Sequence, residues 1–398
     1  MLNIIQKKKD RKYSFCIVTY ETLSNPVTQN LKAYLLENYT SDLLYIYHPQ
    51  SNSKKGHNIS SGYNFFNNNK LSYSENTPYL RQFLPILYIK DIFLTLFWCL
   101  KARRKFDVYF ACGNLNPIAG ILLKNLGVVK KVVYQSIDYF PRRFENFFLN
   151  WIYFQVDKFC VKFSDETWNA SSAVVKSRYK KMGMDPKVFN RQHTVANCIW
   201  FYKVKRLPFS KINLKKIIYR GTLLADMGVD LIIKAIPLIL KKLPGVKFEI
   251  LGDGEEKEYL KKLAKDLGVT NNVIFHGMIN DRSKLEEILS DAALGVATFN
   301  TNIIDKKIKN ADPGKIKDYM LMGMPVITTN AISYSKKIIE GKCGIVVRYN
   351  EDSAANAVIK LLSNKEFLKE YRKNALKFIK PFDCNNILAP NVERIICQ

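Results

Sequence analysis

Short apolar runs alternate along most of the chain with longer segments in which apolar residues recur at helical spacing. This alternation is typical of βαβ units and predicts an α/β fold built on parallel sheets. Within the first half, residues 51–77 are rich in Asn, Ser, Gly and Lys and have little periodicity, so we expect a mobile insertion or loop there. The strands predicted in the first half cover residues 13–19, 42–47, 107–111, 131–135 and 166–169.

The pattern breaks at a polar, lysine-rich connector, residues 203–216, which contains Pro208. A second alternating series follows and predicts a complete doubly wound domain. We therefore expect domains at 1–205 and 206–380, with 381–398 returning to the first domain. The second series comprises strands at 217–219, 247–251, 273–276, 294–297, 325–328 and 344–347, and helices at 229–242, 255–267, 282–290, 315–322, 335–340 and 352–362.

Membrane-spanning and secretory signals are not evident in the sequence. The longest apolar stretch, residues 83–100, is interrupted by Lys90 and Asp91, and the polar, lysine-rich start lacks an apolar core. Eight cysteines are far apart, with no CxxC pair and no nearby histidine at zinc-ligand spacing. These features predict a protein of a reducing, cytoplasmic compartment.

The net charge of +27 is concentrated in the first half, where residues 1–205 hold 30 basic and 13 acidic side chains. The sequence contains no RNP motif, zinc finger or basic zipper, so a nucleic-acid partner is not favoured. An anionic membrane surface or a lipid-phosphate acceptor suits the charge better, and a compositional bias towards lysine explains it equally well. The membrane interpretation is helped by a basic cluster directly after the apolar stretch: Lys101, Arg103, Arg104 and Lys105.

Two glycine turns follow predicted strands of the second half. Gly252, Asp253 and Gly254 come after the strand at 247–251 and could direct backbone N–H groups at a ligand, although a tight turn alone explains the glycines. The turn after the strand at 217–219 has a chemistry that suits a diphosphate, because arginine chelates phosphate oxygens and glycine permits close approach. A solvated loop arginine is the alternative for this turn, which contains Arg220, Gly221 and Thr222.

The third feature is a predicted helix start at Pro313 and Gly314. Lys315 above the helix N-terminus would make an anion site, and Asp318 one turn later could accept hydrogen bonds from ribose hydroxyls. A surface ion pair between Lys315 and Asp318 is the alternative.

These three features in this order resemble the donor-binding domain of GT-B glycosyltransferases, in particular the retaining enzymes of family 4. The likeness covers most of the chain and includes Asn-Val-Ile-Phe-His-Gly at 272–277, Ser-Asp-Ala-Ala-Leu-Gly-Val at 290–296, and the most specific stretch, residues 313–327. The resemblance implies two Rossmann-like, doubly wound domains that face each other across a cleft. The first would bind the acceptor and the second the nucleotide-sugar donor.

The resemblance also implies roles for individual residues of the second domain. Lys315 and Gly314 would approach the phosphates, and Asp318 would bind ribose. The match is incomplete where Met227 replaces the usual lysine and Asn310 replaces the first acid of a paired-acid motif, for which Asp312 is a candidate substitute. The other implied contacts are Arg220, Gly221 and Thr222 at the diphosphate, Gly252 near the nucleoside, and His276, Gly277, Met278 and Ile279 along the base, largely through main chain.

In the first domain, Asp138 follows the strand at 131–135, in a segment that resembles one of the family. It is the candidate for orienting the acceptor hydroxyl or the transferred sugar, with Arg142 and Arg143 able to meet phosphate. A turn cap before Pro141 is the alternative role for Asp138.

The sequence therefore predicts a hexosyltransferase-type glycosyltransferase that uses a nucleotide-diphosphate sugar and no further cofactor, with Arg220, Lys315 and Asp138 as catalytic candidates. No DxD sequence is present, which agrees with a metal-independent site, and retention is implied by the resemblance alone. We expect a lipid-linked or cell-surface glycan acceptor and a cytoplasmic enzyme, peripheral at the inner membrane face. The alternatives are a nucleotide-sugar epimerase and a non-catalytic nucleotide-sugar-binding protein.

Overall fold

A computed structural model describes residues 11–21, 26–49, 60–78, 84–137, 139, 142–187, 189–303 and 312–397 of the protein. By contact the chain divides into two compact units. The first unit comprises Met1–Cys198 and Cys384–Gln398, and the second comprises Ile199–Asp383. The domain boundaries predicted after residues 205 and 380 stay predictions.

In the first unit, the described residues form an eight-stranded sheet in the order β4-β3-β2-β1-β5-β6-β7-β8. Adjacent strands from β2 to β8 are parallel, as the alternating pattern predicts, and β3 and β4 are antiparallel additions at one edge. The strands are β1 (Tyr13–Glu21), β2 (Ser41–Pro49), β3 (Gly62–Asn67), β4 (Lys70–Asn76), β5 (Phe106–Cys112), β6 (Val129–Ser136), β7 (Glu166–Asn169) and β8 (Gln192–Thr194).

The hairpin of β3 and β4 corrects the expectation of a loop at 51–77, of which residues 50–59 lie outside the described part. Alternate side chains of β3, those of Tyr63 and Phe65, are buried, and Tyr63 packs against Trp98 with ring centroids 5.2 Å apart. This period of two is the signal of a half-buried strand. The surrounding asparagines and serines hid it from an argument based on composition.

The helices of the first unit lie on both faces of its sheet. The crossovers from β1 to β2 and from β5 to β6 run in opposite directions along the strand order, so their right-handed connections put their helices on opposite faces. Helices α2, α3 and α4 contact one another in that order, whereas α13 contacts α1. The helices are α1 (Pro26–Asn38), α2 (Leu84–Lys101), α3 (Asn116–Asn125), α4 (Phe147–Phe163), α5 (Ser172–Met182) and α13 (Cys384–Cys397).

The second unit contains a six-stranded sheet in the order β11-β10-β9-β12-β13-β14, in which every adjacent pair is parallel. The strand order reverses between β9 and β12, which is the topological switch point of a doubly wound sheet. The strands are β9 (Asn213–Arg220), β10 (Lys247–Leu251), β11 (Val273–Gly277), β12 (Ala292–Ala297), β13 (Val326–Thr329) and β14 (Gly344–Val347).

Two apolar cores hold this sheet between helical layers. One core is built around Ile232, Ile236 and Phe248, and the other around Ile316, Tyr319 and Met320. The helices are α6 (Val229–Lys242), α7 (Lys257–Asp266), α8 (Arg282–Ser290), α9 (Gly314–Leu321), α10 (Tyr334–Glu340), α11 (Glu351–Ser363) and α12 (Lys365–Ile379). Among the described residues, none of these helices or those of the first unit is long and apolar enough to cross a membrane.

Candidate functional site

The neighbouring parallel strands β9 and β10 bring two glycine turns together beside the switch point of the second sheet. Strand β9 ends at Arg220 and β10 ends at Leu251, and the N–H of Gly221 donates a hydrogen bond of 2.9 Å to the Leu251 carbonyl. A Cβ placed on Gly252 would lie 1.8 Å from the carbonyl oxygen of Gly221. Any side chain at residue 252 would therefore push the two turns apart, which explains why the second turn begins with glycine.

Lys315 reaches this pair of turns from the first turn of α9. Its Nζ donates to the Tyr219 hydroxyl at 3.2 Å and lies 3.4 Å from the sulfur of Met227. A Cβ on Gly221 would be 3.1 Å from the same Nζ. The ammonium also lies over the aromatic ring of Phe299, 5.1 Å from its centroid. The lysine predicted at the phosphates is thus beside the glycine predicted at the diphosphate.

Burial makes the Lys315 ammonium unusually acidic. Desolvation, reinforced by the charge of Arg220 and opposed by that of Asp226, lowers the pKa of Lys315 to about 7. Within the described part of the chain, no carboxylate forms an ion pair with this lysine. An anion bound beside it would supply the missing counter-charge and raise its pKa again.

Asp226 lies in a single helical turn, Ala225–Met227, and was not among the predicted site residues. Its Oδ1 is buried without a hydrogen-bond partner, and desolvation raises the pKa of its carboxyl group while Lys315 opposes that rise. Gly228 ends the turn with a φ of +64°, and a Cβ there would lie 2.0 Å from the Thr298 carbonyl oxygen. The backbone therefore fixes Asp226 and Met227 near Lys315.

Asp318 lies one turn after Lys315 on α9 and holds two arginines. Its Oδ2 accepts from Nη1 of Arg220 at 2.7 Å, and its Oδ1 accepts from Nη1 of Arg282 at 2.9 Å. Arg282 also donates to Glu286 at 2.6 Å. The alternative of a surface pair between Lys315 and Asp318 does not occur in the described structure, because arginines occupy both oxygens of Asp318.

Tyr319 fixes the position of α9 relative to the strands. Its hydroxyl accepts from the N–H of Arg220 at 2.7 Å and donates to the Val296 carbonyl at 3.2 Å. The ring packs against Gly295, where a Cβ would be 2.3 Å from it. Because the side chain is fully buried, α9 and its Lys315 are held in register with the ends of β9 and β12.

The segment predicted to line the base lies at the end of β11. The Nε2 of His276 is 2.8 Å from an oxygen of Glu249 on β10, so the imidazole is engaged on the sheet. Gly277 follows with a φ of +74°, Met278 is exposed and Ile279 packs against the core around Tyr319. The His276 side chain is therefore bound to Glu249, and contact of this segment with a base stays a prediction.

The other predicted site residues of the second unit are Thr222, Asp312 and Asn310. Thr222 is exposed, and its carbonyl accepts from the Tyr219 hydroxyl at 2.8 Å. Asp312 is paired with Lys317 at 2.6 Å, with only 5% of its side chain exposed. Asn310, like Asp138 of the first unit, lies outside the described residues, so the role proposed for Asp138 stays a prediction.

In the first unit, the two arginines predicted to meet phosphate lie in the segment before α4. Arg142 is exposed and donates to Glu145 at 3.0 Å. Arg143 lies over the rings of Phe144 and Tyr153, at 5.9 and 5.8 Å from their centroids.

Part of the chain matches a family of known proteins. Residues 208–378, which contain the whole set around Lys315, match the family "Glycosyl transferases group 1". An uncharacterized glycosyltransferase of Haemophilus influenzae is 29% identical over 133 residues, 33% of this chain and 35% of that protein. A GDP-mannose-dependent alpha-(1-6)-phosphatidylinositol monomannoside mannosyltransferase of Mycobacterium tuberculosis is 28% identical over 149 residues, 35% of this chain and 36% of that protein. This chain spans less than half of the length of these relatives.

Solved structures are similar over nearly the whole chain. HepE of Anabaena, solved in complex with UDP, superposes with a TM-score of 0.67 at 15% identity and covers 97% of this chain and 100% of its own. WaaG, a glycosyltransferase involved in lipopolysaccharide biosynthesis, gives a TM-score of 0.62 at 15% identity, with 96% and 99% covered. The predicted GT-B fold is confirmed, and the predicted resemblance to GT-B glycosyltransferases is confirmed by the fold and by the family match of the second unit.

Proposed function

We propose that this GT-B chain, whose second unit matches the group 1 glycosyltransferases, transfers a hexosyl group from a nucleotide-diphosphate sugar to an acceptor. One observation carries the proposal: the Lys315 ammonium, with a pKa of about 7, lies against the Gly221 turn beside the guanidinium of Arg220. Two cations beside a glycine, where the backbone can approach a ligand closely, form a site for the leaving diphosphate.

The chemistry of sugar transfer explains why this charge is needed. The sugar passes through an oxocarbenium-like state while negative charge grows on the departing phosphate oxygen. Lys315 and the N-terminal end of α9 are in place before the donor arrives, so neither has to be reorganised when that charge develops. In this role Lys315 would act as a cation, and phosphate binding would keep it protonated.

Asp318 would bind the ribose of the donor. A carboxylate that already accepts from two arginines can take a ribose hydroxyl only if it retains a free lone pair or releases one guanidinium. Arg220 is the arginine that would move, because the diphosphate offers it a new anionic partner. Arg282 would then keep Asp318 in position.

Retention of configuration and independence of a metal ion are parts of the same proposal. The resemblance to family 4 enzymes supports retention. The fixed cations of the chain support a leaving-group site that neutralises the diphosphate without a divalent ion. Full turnover after chelation, and a product of unchanged anomeric configuration, are the expected results.

The acceptor that we propose is a lipid-linked or cell-surface glycan intermediate. The names of relatives support this class: one acts on a phosphatidylinositol monomannoside, and another is a poly(glycerol-phosphate) alpha-glucosyltransferase of Bacillus subtilis. The surplus of positive charge in residues 1–205 suits a phosphate-bearing acceptor at the cytoplasmic face of a membrane.

The test is nucleotide release from a panel of nucleotide sugars, with and without a membrane-lipid extract. Lys315→Ala and Asp318→Ala should each lower release by about tenfold or more, because each removes a charged hydrogen-bonding group from the donor site. Lys336→Ala, which removes an exposed lysine of the same unit, is the matched control.

The alternatives give different outcomes in this assay. Interconversion of the donor sugar without nucleotide release would identify an epimerase. Undiminished nucleotide affinity with no turnover on any donor would identify a binding protein. Release that is equal in Lys315→Ala, Asp318→Ala and the control would refute the site.

A further inference from the structure

Helix α4 of the first unit presents an apolar face to solvent. Seven of its large apolar side chains are exposed, by fractions between 38% and 85%. At 3.6 residues per turn they occupy an arc of about 200° around the helix. The buried residues, among them Tyr153 and Cys160, lie in the remaining arc. The exposed side chains are those of Phe147, Phe148, Leu149, Trp151, Ile152, Phe159 and Phe163.

The charges on the same arc are all positive. Lys158 and Lys162 are exposed there, and the ammonium of Lys162 lies 5.3 Å from the ring centroid of Phe163. The one acid of α4, Asp157, is fully buried on the other side and bound to Arg178 at 2.7 Å. An exposed helix face of aromatic residues and lysines without an acid is typical of helices that lie in a membrane interface.

Helix α2 extends this face. Its exposed apolar side chains recur at helical spacing and form one stripe, with exposed fractions between 48% and 69%. The stripe ends at the basic run of residues 101–105, and α3, which contacts both α2 and α4, adds the exposed Leu122 and Leu126. The stripe consists of Ile86, Ile89, Phe93, Phe97 and Leu100.

We infer that the outer face of α2, α3 and α4 is a docking surface for an anionic lipid bilayer. The aromatic and aliphatic side chains would enter the boundary between headgroups and acyl chains, and Lys158, Lys162, Arg103 and Lys105 would contact the anionic headgroups. Lys101 and Arg104 of the basic run pair with Glu75 and Asp42. Charge complementarity selects this occupant, since the lysines lie among the apolar side chains of α4 and its exposed arc contains no acid. The inference does not depend on the proposed transferase activity.

The size of the face also argues for a specific role. Soluble proteins commonly expose single apolar side chains, but a contiguous set over neighbouring helices marks an interaction surface. Two aromatic pairs on α4 are in contact in the absence of a partner: Phe148 stacks on Trp151 at 5.9 Å, and Phe159 lies 4.7 Å from Phe163. Each pair of rings therefore forms a compact exposed apolar contact on α4.

Cosedimentation of the full chain with vesicles tests the inference. We expect strong binding to phosphatidylcholine vesicles that contain phosphatidylglycerol, and weak binding to phosphatidylcholine alone. The combined Phe148→Ser, Trp151→Ser, Phe159→Ser variant should lose about tenfold or more in partitioning. The matched control replaces three exposed apolar side chains of the second unit, Tyr259→Ser, Ile303→Ser and Ile339→Ser, and should bind like the unaltered chain.

The charged part of the surface has its own pair of variants. Lys158→Ser with Lys162→Ser should weaken binding to the anionic vesicles and reduce its dependence on salt. Lys241→Ser with Lys242→Ser removes the same charge from the exposed end of α6 and should change neither. Equal losses for the two pairs would mean that net charge alone drives binding, which would overturn the inference.

The fluorescence of Trp151 reports whether the exposed face of α4 enters the lipid. This side chain is half exposed, whereas Trp98 and Trp168 are buried, so its fluorescence should shift to the blue and be quenched by brominated lipid on vesicle binding. Trp151→Phe should bind and lose most of the quenching. Binding of the triple variant equal to that of its control, or a dimer in solution that the triple variant dissociates while vesicle binding is absent, would refute the lipid surface.

Discussion

Arg220 and Asp318 bind each other: Nη1 of the arginine donates to Oδ2 of the aspartate at 2.7 Å. The sequence assigns both residues to the donor, the arginine to its diphosphate and the aspartate to its ribose. In the described structure they neutralise each other, and Arg282 takes the second carboxylate oxygen at 2.9 Å. A bound donor would compete for both side chains, because its diphosphate would offer Arg220 a new anionic partner.

Asp318→Asn should change the affinity for the diphosphate part of the donor differently from the affinity for its nucleoside part. We expect inorganic pyrophosphate to bind more tightly, because Arg220 loses its competing carboxylate, and nucleoside diphosphates to lose affinity relative to pyrophosphate, because the amide is a weaker acceptor for ribose. Calorimetry with both ligands measures the difference. Asp266→Asn, at an exposed acid of α7 in the same unit, is the control. Equal changes for the two ligands would show that Asp318 does not contact the nucleoside.

Gly252→Ala should damage the site through the backbone. The added Cβ would lie 1.8 Å from the Gly221 carbonyl oxygen, so the two turns must separate. We expect the free energy of unfolding to fall by about 1–3 kcal/mol and nucleotide affinity to drop with it. Gly314→Ala, where a Cβ meets open space and φ is not positive, is the control for stability. If the two variants behave alike in denaturant melts, the close approach of the turns is not a constraint.

Met227→Lys should introduce the lysine that the resemblance to family 4 enzymes implies at this position, and it should create repulsion in the free protein. The Met227 sulfur is 3.4 Å from Nζ of Lys315, so a second ammonium would lower the pKa of Lys315 further. We expect a lower melting temperature without ligand and a larger rise on saturation with nucleoside diphosphate than in Met227→Leu. A rise equal to that of Met227→Leu would place the diphosphate away from residue 227.

The strands and helices around the site were predictable because their apolar spacing is regular. The helices at 229–242 and 282–290 and the strands at 247–251 and 344–347 have the predicted bounds. The hairpin of β3 and β4 was missed, since its buried Tyr63 and Phe65 alternate with polar residues inside an Asn-rich segment.

The contacts that assemble the site were less predictable. Lys315 and Asp318 stand in one motif, and their helix start was identified from Pro313 and Gly314. Arg282 is 36 residues before Asp318, and no local pattern signals that its side chain reaches that carboxylate. Asp226 was missed for the same reason, because its place near Lys315 depends on how β9, β12 and α9 pack together.

Proton uptake on diphosphate binding tests the central claim most directly. Lys315 has a pKa of about 7 in the free protein, so at pH 8 it is mostly neutral, and a bound diphosphate that raises this pKa must draw in a proton. Affinity should then fall by about tenfold per pH unit above 7, until the pKa of the bound state is reached. Asp226 is the nearby acid, and burial raises the pKa of its carboxyl group while the charge of Lys315 lowers it.

The measurement is calorimetry of inorganic pyrophosphate and a panel of nucleoside diphosphates at pH 8, in two buffers of different ionisation enthalpy. The account predicts uptake of close to one proton by the unaltered chain, no uptake by Lys315→Met, and affinity that is about tenfold or more lower in that variant. Tight binding without proton uptake, or an affinity of Lys315→Met equal to that of the unaltered chain, would contradict the claim that this lysine binds the leaving diphosphate.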